Sequence, residues 1–373
     1  MRPELLLLAA VCAATVYALL TVIAALRFLR VRPENVRDWV PISVLKPLSG
    51  LDRGLESNLR TFFEQDYPSF EILFAVRHLD DPAVDVIDKL CLEYPHVETH
   101  LLVTGESAYS NAKVFSLKQM FDEARHDLVV MSDSDTRVAP DLLRIVAAEF
   151  QDPDLGMATC PYRAVPGPGL WSHLEATGMN TDFLAGILVA RMLEGMRFAV
   201  GPTIAARREV LRSIGFDQLK DYLAEDFVMG NLAAKAGYGV ILSSHVIEHH
   251  IGSTDLLLNA AHRLRWARST RRSRPLGYVG QLFTMPVPLA ALLCLAAPEW
   301  WPAAAAAVVV RAIAAYVVSA RVLKARVQWL LLPLEDLAGF GFWIAGFFGN
   351  TITWRGRQYR LFADGTFRLL SKS

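Results

Sequence analysis

The 373-residue chain lacks an excess of charge of either sign: 38 Lys and Arg balance 38 Asp and Glu. Such a balance gives no polyanion-binding character, so nucleic acid is not an expected partner. Cysteine is scarce, and the four present (Cys12, Cys91, Cys160, Cys294) show no CxxC or zinc-type spacing. They read as reduced packing thiols, which suits a cytosol-facing domain. Neither G-x-G-x-x-G nor GxxxxGK[ST] occurs, which disfavours a dinucleotide fold or a P-loop. Apolar residues, by contrast, make up 53% of the chain. The mean hydropathy of +0.28 is high for a soluble protein and points to membrane segments.

Residues 5–26 carry no charge and are about long enough to cross a bilayer core. Arg27, Arg30, Arg32 and Arg37 follow directly. A cleaved signal peptide would have a shorter apolar region and a small-residue cleavage site. The run therefore reads as an uncleaved anchor over residues 1–30, with the domain after it cytosolic by the positive-inside rule. Three more apolar stretches lie at about 281–297, 301–319 and 328–350. Basic clusters separate and follow them: Arg268 to Arg274, Arg321-Lys324-Arg326, and Arg355-Arg357-Arg360. If these clusters are cytosolic, the first two stretches form a transmembrane hairpin. The third holds Glu335-Asp336, and an acid at a helix centre costs roughly 2.5–3.5 kcal/mol on insertion scales. A re-entrant or interfacial segment is expected there, ahead of a basic tail.

Between about 40 and 135, strand-like runs alternate with helix-length stretches. The runs are Ile42 to Leu45, Glu71 to Val76, His100 to Val103 and Leu128 to Met131; the helices are Leu55 to Glu64, Ala83 to Glu93 and Ala112 to Ala124. This alternation predicts an α/β domain over 40–255 with a parallel sheet, whose ligands bind beyond the carboxyl ends of the strands. Asp80-Asp81 follows the second run and Asp133-Ser134-Asp135 the fourth. Residues i and i+2 of an extended segment project the same way. Asp133 and Asp135 can thus converge on a hard divalent cation, Mg²⁺ or Mn²⁺, which could hold a diphosphate. Further on, Ala199 to Ala206 reads as a strand entering a helix near Arg208. Glu225-Asp226 opens another helix, where acids suit the dipole. Residues 256–280 predict an amphipathic, basic, interfacial helix, in which Arg265 beside Trp266 is the candidate for phosphate contact.

Several of these segments, taken in order, resemble one family. They are Val44-Leu45-Lys46-Pro47-Leu48-Ser49-Gly50-Leu51-Asp52, Asn58 to Pro68, Asp80 to Val86, Asp133-Ser134-Asp135, Ala224-Glu225-Asp226-Phe227 and Arg263-Leu264-Arg265-Trp266. They look like the ceramide glucosyltransferases, membrane glycosyltransferases of families 2 and 21, and like the bacterial hopanoid-biosynthesis glycosyltransferase. The resemblance covers roughly residues 40–275, with weaker similarity around Trp354 to Arg360. It implies a GT-A fold, a Rossmann-like mixed and mostly parallel sheet with flanking helices. It also implies inverting transfer of a hexose or N-acetylhexosamine from a UDP-sugar to the hydroxyl of a membrane lipid, either ceramide or a hopanoid alcohol such as bacteriohopanetetrol. Placement would be integral to a membrane, in bacteria the inner one, with the catalytic domain cytoplasmic.

By position, Asp80 or Asp81 resembles the family aspartate that contacts the nucleotide. Asp133 with Asp135 resembles the metal pair, Asp226 the general base, and Arg265-Trp266 the end of the (Q/R)xxRW motif. His262 departs from that motif's first position. Lys113, in Asn111-Ala112-Lys113, is a possible donor-site residue, and Asn180 to Phe183 with Val189 to Glu194 lie where acceptor choice should be set. A processive polysaccharide synthase shares the aspartates and the RW pair but would need more spans. A membrane scaffold would require the aspartates to be incidental.

Overall fold

The computed structural model describes residues 3–32, 35–36, 38–252, 255–354 and 356–370; Arg37 and Arg355 of the basic clusters lie outside them. Residues 40–255 contribute strands β1 (Ile42–Pro47), β2 (Phe70–Val76), β3 (Glu98–Val103), β4 (Leu128–Ser132), β5 (Thr136–Arg137), β6 (Leu155–Thr159), β7 (Tyr162–Val165), β8 (Thr203–Arg207), β9 (Gly239–Leu242) and β10 (Ile247–His250). Seven form the main sheet in the order β3-β2-β1-β4-β8-β6-β9, and β5, β10 and β7 form a small second sheet. The pairs β1–β2, β1–β4, β2–β3 and β6–β9 are parallel, whereas β8 runs antiparallel to both β4 and β6. In the main sheet β8 alone is reversed. Its first residue, Thr203, therefore pairs with Ser132, the last of β4, and the Gly201-Pro202 loop before it arrives at the edge where the parallel strands end.

Side-chain alternation along the strands builds two cores. Ile42, Val44, Ile72, Phe74, Leu128 and Val130 face the helices Leu55–Phe63, Ala83–Glu93 and Leu142–Glu149. Leu45, Leu73, Ala75, Val129 and Met131 face Ala112–Glu123, Arg208–Ile214 and Glu225–Lys235. The expected strands and helices of 42–131 are all present within two residues at each end. The strand expected over Ala199 to Ala206 begins only at Thr203, because Gly201-Pro202 forms a turn.

Among the described residues, two helices are long and apolar enough to cross a membrane, Pro3–Phe28 and Pro298–Val322; the number is three if Pro275–Thr284 and Pro286–Ala296, bent by 61°, count as one span. Pro286 at the break removes a helical donor, which accounts for the bend. The Leu332–Gly346 helix has 15 residues, about 22 Å, short of a bilayer core. The basic Leu256–Ser273 helix clasps this segment: Arg263 pairs with Glu335, Arg268 donates to Phe348 O at 3.0 Å, and Arg272 to Asn350 Oδ1 at 2.7 Å. Arginines that composition suits to lipid headgroups thus satisfy carbonyls at the carboxyl end of a neighbouring helix. The expected basic tail is folded as an antiparallel sheet, β11 (Thr351–Trp354), β12 (Arg357–Leu361) and β13 (Phe367–Leu369).

Candidate active site

The edge formed by the ends of β1, β2 and β4 carries both acidic pairs. Asp133 follows β4 directly, and its backbone N–H donates to Pro202 O at 2.9 Å. The turn is held from below by Lys46, a fully buried cation on β1 that donates to the Asp133 carbonyl at 2.5 Å and stacks 3.9 Å from the Phe62 ring centroid. Burial pushes this ammonium down to about 7 despite Asp133 and Asp135.

Asp133 and Asp135 do not turn to one point. Asp133 Oδ1 lies 2.6 Å from Lys113 Nζ, whereas Asp135 Oδ1 lies 3.4 Å from His249 Nδ1 on β10. Like charges separate and each takes its own cationic partner. Burial would raise the Asp135 carboxyl, but His249, Lys46 and Lys113 hold it well below the usual carboxylate range. Asp135 Oδ1 and His249 Nδ1 are both buried and neither makes a hydrogen bond. An imidazole nitrogen and a carboxylate oxygen left in that state are donors a divalent cation accepts, which makes His249 a further candidate ligand beside the expected Asp133 and Asp135. Sequence reasoning missed His249; its signal is weak, a histidine pair closing a short strand before a loop. Another cluster of metal-type ligands, Glu71, Glu98 and His100, sits at the amino ends of β2 and β3, away from this edge. There Arg125 already bridges the two acids.

Lys113 owes its position to Asn111, which caps the Ala112–Glu123 helix by accepting from Lys113 N and Val114 N. The Asn111 amide also donates to Tyr222 O at 2.9 Å, tying this helix to the segment before Glu225-Asp226. These two acids are the first residues of the Glu225–Lys235 helix, as expected. Lys113 Nζ bridges Asp133 and Glu225 Oε1, the latter at 2.9 Å. Asp226 lies over Gly201, where an added Cβ would come 3.0 Å from its Oδ2. Burial, reinforced by the Glu225 charge, lifts the Asp226 carboxyl to about 7. Asp133, Asp226, Lys113, Glu225 and Gly201 line one cavity.

The first acidic pair divides. Asp81 accepts from Gly50 N at 3.0 Å and Ala83 N at 2.9 Å, fixing the loop after β1 to the start of a helix, while Asp80 is exposed. Arg265 and Trp266 lie on the Leu256–Ser273 helix, both half-buried. Trp266 stacks on Phe183, with centroids 6.1 Å apart, and meets the His262 ring at a tilt with centroids 4.7 Å apart. His262, at the position where the motif departs, meets the buried Glu175. An aromatic row thus runs from Trp266 through Phe183 and Tyr162, 5.2 Å apart, to His249 at 5.6 Å.

Comparison with known proteins agrees with this architecture. A ceramide glucosyltransferase 1 of Caenorhabditis elegans is 27% identical over 230 residues, covering 61% of this chain and 49% of its own length. The ceramide glucosyltransferase of Komagataella phaffii is 31% identical over 156 residues, covering 38% of this chain and 30% of its own. The chain spans about half or less of the length of these curated relatives. Among solved structures, the mannosyltransferase PcManGT from Pyrobaculum calidifontis, in complex with GDP-Man and Mn²⁺, superposes with a TM-score of 0.53 at 20% identity, covering 91% of this chain and 98% of that one. That likeness establishes the fold, the mixed GT-A sheet with flanking helices. Residues 5–367 match the model of Glycosyl transferase family 21, and on that near-complete match the chain belongs to this family.

Proposed function

We propose that the protein is a membrane-bound inverting glycosyltransferase that moves a hexose or N-acetylhexosamine from a UDP-sugar to the hydroxyl of a membrane lipid, ceramide or a hopanoid alcohol. The observation that carries this reading is the single cavity shared by Asp133, Lys113, Glu225 and Asp226. Four charged residues from three separate chain segments have little structural reason to meet there, and phosphate and proton chemistry supplies one.

Asp133 and Asp135, with His249 beside them, would hold a divalent cation, Mg²⁺ or Mn²⁺, which when bound supplies positive charge against the donor's diphosphate. Lys113 stands at the same carboxylate and is available to a phosphate oxygen once the donor enters. Arg265, a guanidinium, is the second cationic candidate for the leaving diphosphate, and Trp266 shapes the wall behind it. Asp80 or Asp81 borders the nucleotide side. Asp226, whose carboxyl sits near 7, is suited to take the acceptor's hydroxyl proton as oxygen attacks the anomeric carbon from the face opposite the diphosphate. One base and a direct displacement give inversion. The apolar helices Pro3–Phe28 and Pro298–Val322 would hold the site against the bilayer, with the catalytic domain on the cytoplasmic face.

The test is incubation of the purified full chain with UDP-glucose or UDP-N-acetylglucosamine and with ceramide or bacteriohopanetetrol, with and without EDTA, and detection of glycolipid by mass. A metal-dependent monoglycosylated lipid is expected. Polymeric product would favour the processive synthase reading, and absence of any lipid product would remove the proposal.

A further inference from the structure

Midway along the apolar Pro298–Val322 helix lies Arg311, which is buried. At 1.5 Å per residue it stands about 17–20 Å from either end of that helix. Its guanidinium meets Asp336 at 2.7 Å, Thr181 Oγ1 at 3.1 Å and Asp182 Oδ1 at 2.7 Å. Asp336 is as buried as Arg311, but Asp182 keeps 49% of its side chain accessible. A carboxylate from the α/β domain thus reaches the middle of a candidate span and remains open.

The backbone around Asp182 is unusual. Met179–Phe183 forms a π-helical turn between the helices Leu170–Gly178 and Leu184–Glu194, and such turns occur frequently at functional sites. Asn180 pins this turn to β7 by accepting from Ala164 N at 2.8 Å and donating to Ala164 O at 2.9 Å. Phe183, 36% exposed, begins the path of rings through Tyr162 to His249 and Asp135.

We propose that Asp182, presented by this turn and anchored by Arg311, is the specificity-determining group that accepts hydrogen bonds from the hydroxyls of the lipid acceptor, which approaches along residues 179–194 from within the bilayer. The inference rests on the lipid-acceptor reading above. An open carboxylate at that depth is costly unless hydroxyls or ions satisfy it, and Arg311 takes only part of its capacity. A lipid alcohol carries hydroxyl donors on an apolar body, the complement of this carboxylate beside the exposed Phe183 ring. A site built to hydrogen-bond a substrate hydroxyl rejects analogues that lack it far more strongly than an apolar pocket does.

The test uses full-length protein in nanodiscs. Asp182→Asn is expected to raise the KM for whichever lipid the wild type glycosylates by about tenfold or more, with the UDP-sugar KM unchanged and Asp182→Glu recovering part of the loss. Asp336→Asn, at the other carboxylate of Arg311, should leave the lipid KM in place. An unchanged lipid KM in Asp182→Asn, or equal shifts in the lipid and donor KM values, would overturn the assignment. So would Asp336→Asn reproducing the shift. Should Asp182→Asn fail to fold, photo-crosslinking of wild type with a diazirine-bearing analogue of the lipid it glycosylates, ceramide or bacteriohopanetetrol, decides: labelling between Ala164 and Arg191 supports the proposal, and labelling confined to other peptides sinks it. A wild type that binds UDP-sugar but glycosylates no lipid would instead refute the function proposed above.

Discussion

Lys113 Nζ stands 2.6 Å from Asp133 Oδ1, and the same ammonium reaches Glu225 Oε1 at 2.9 Å. Burial alone would lower the lysine, yet the two carboxylates hold it well above its ordinary value. It is the link between the end of β4 and the start of the Glu225–Lys235 helix, the two segments that deliver the proposed metal ligand and the proposed base. Lys113→Met leaves both acids uncompensated. Loss of one partner of a buried pair costs roughly 3–5 kcal/mol, and the partial accessibility here points to the lower end. A fall in Tm is expected together with at least a tenfold weaker UDP-sugar affinity by calorimetry. Unchanged donor affinity would confine Lys113 to a structural role.

Asp226 predicts a pH profile. With its carboxyl near 7, kcat rises as pH passes through about 7, because only the ionised form can take the acceptor proton. Burial is the larger cause and the Glu225 charge the next, so Glu225→Gln moves the acid limb to lower pH. Asp226→Asn should lower kcat by roughly 10²–10⁴ with donor binding intact. Stability carries the opposite sign. The native carboxyl keeps a proton that the unfolded chain has shed, so the contribution is present below about pH 4 and is lost as pH rises through 7. The Tm of wild type should therefore fall more steeply across that window than that of Asp226→Asn.

The neighbours Asp80 and Asp81 should separate cleanly. Asp81 holds the Gly50 and Ala83 amides, and its replacement by Ala removes a cap-like interaction worth about 1–2 kcal/mol. Asp80 is exposed, so Asp80→Ala should leave Tm unaltered while raising the donor KM. Thermal melts alongside donor titrations distinguish the two, and a destabilised Asp80→Ala would reverse the assignment.

Much of this arrangement is legible in the sequence, for local reasons. The β1 to β4 runs are continuous apolar segments bounded by turn residues, and their helices carry one apolar face, so periodicity locates them. The carboxyl-edge rule then puts Asp80-Asp81 and Asp133-Asp135 on one rim. The reversal of β8 was not readable, since a strand's direction depends on its neighbours and not on its own residues. The same holds for His249, which reaches Asp135 only because β10 lies beside β5. The arginines of 263–272 read as a membrane-facing charge run, whereas pairing with Glu335 and with carbonyls near Phe348 depends on tertiary contacts that spacing cannot reveal.

The C-terminal sheet was the largest element missed, and it yields the last prediction. Phe367 is fully buried among Leu223, Ile352, Tyr359 and Leu361. Its backbone N–H donates to Asp221 O at 2.8 Å, and Thr366 bridges Tyr222. The sheet therefore sets the 221–224 segment that leads into Glu225-Asp226 and that Asn111 grips from the other side. Phe367→Ala removes a buried ring, for which roughly 3–5 kcal/mol is the usual cost. The loss should appear as a lower Tm and as a fall in kcat out of proportion to any change in donor affinity, because Asp226 shifts while the β4 end stays fixed by Lys46. Leu369→Ala, at a half-exposed position on the same strand, should change neither. Full activity in folded Phe367→Ala would show that the base is positioned without the C-terminal sheet.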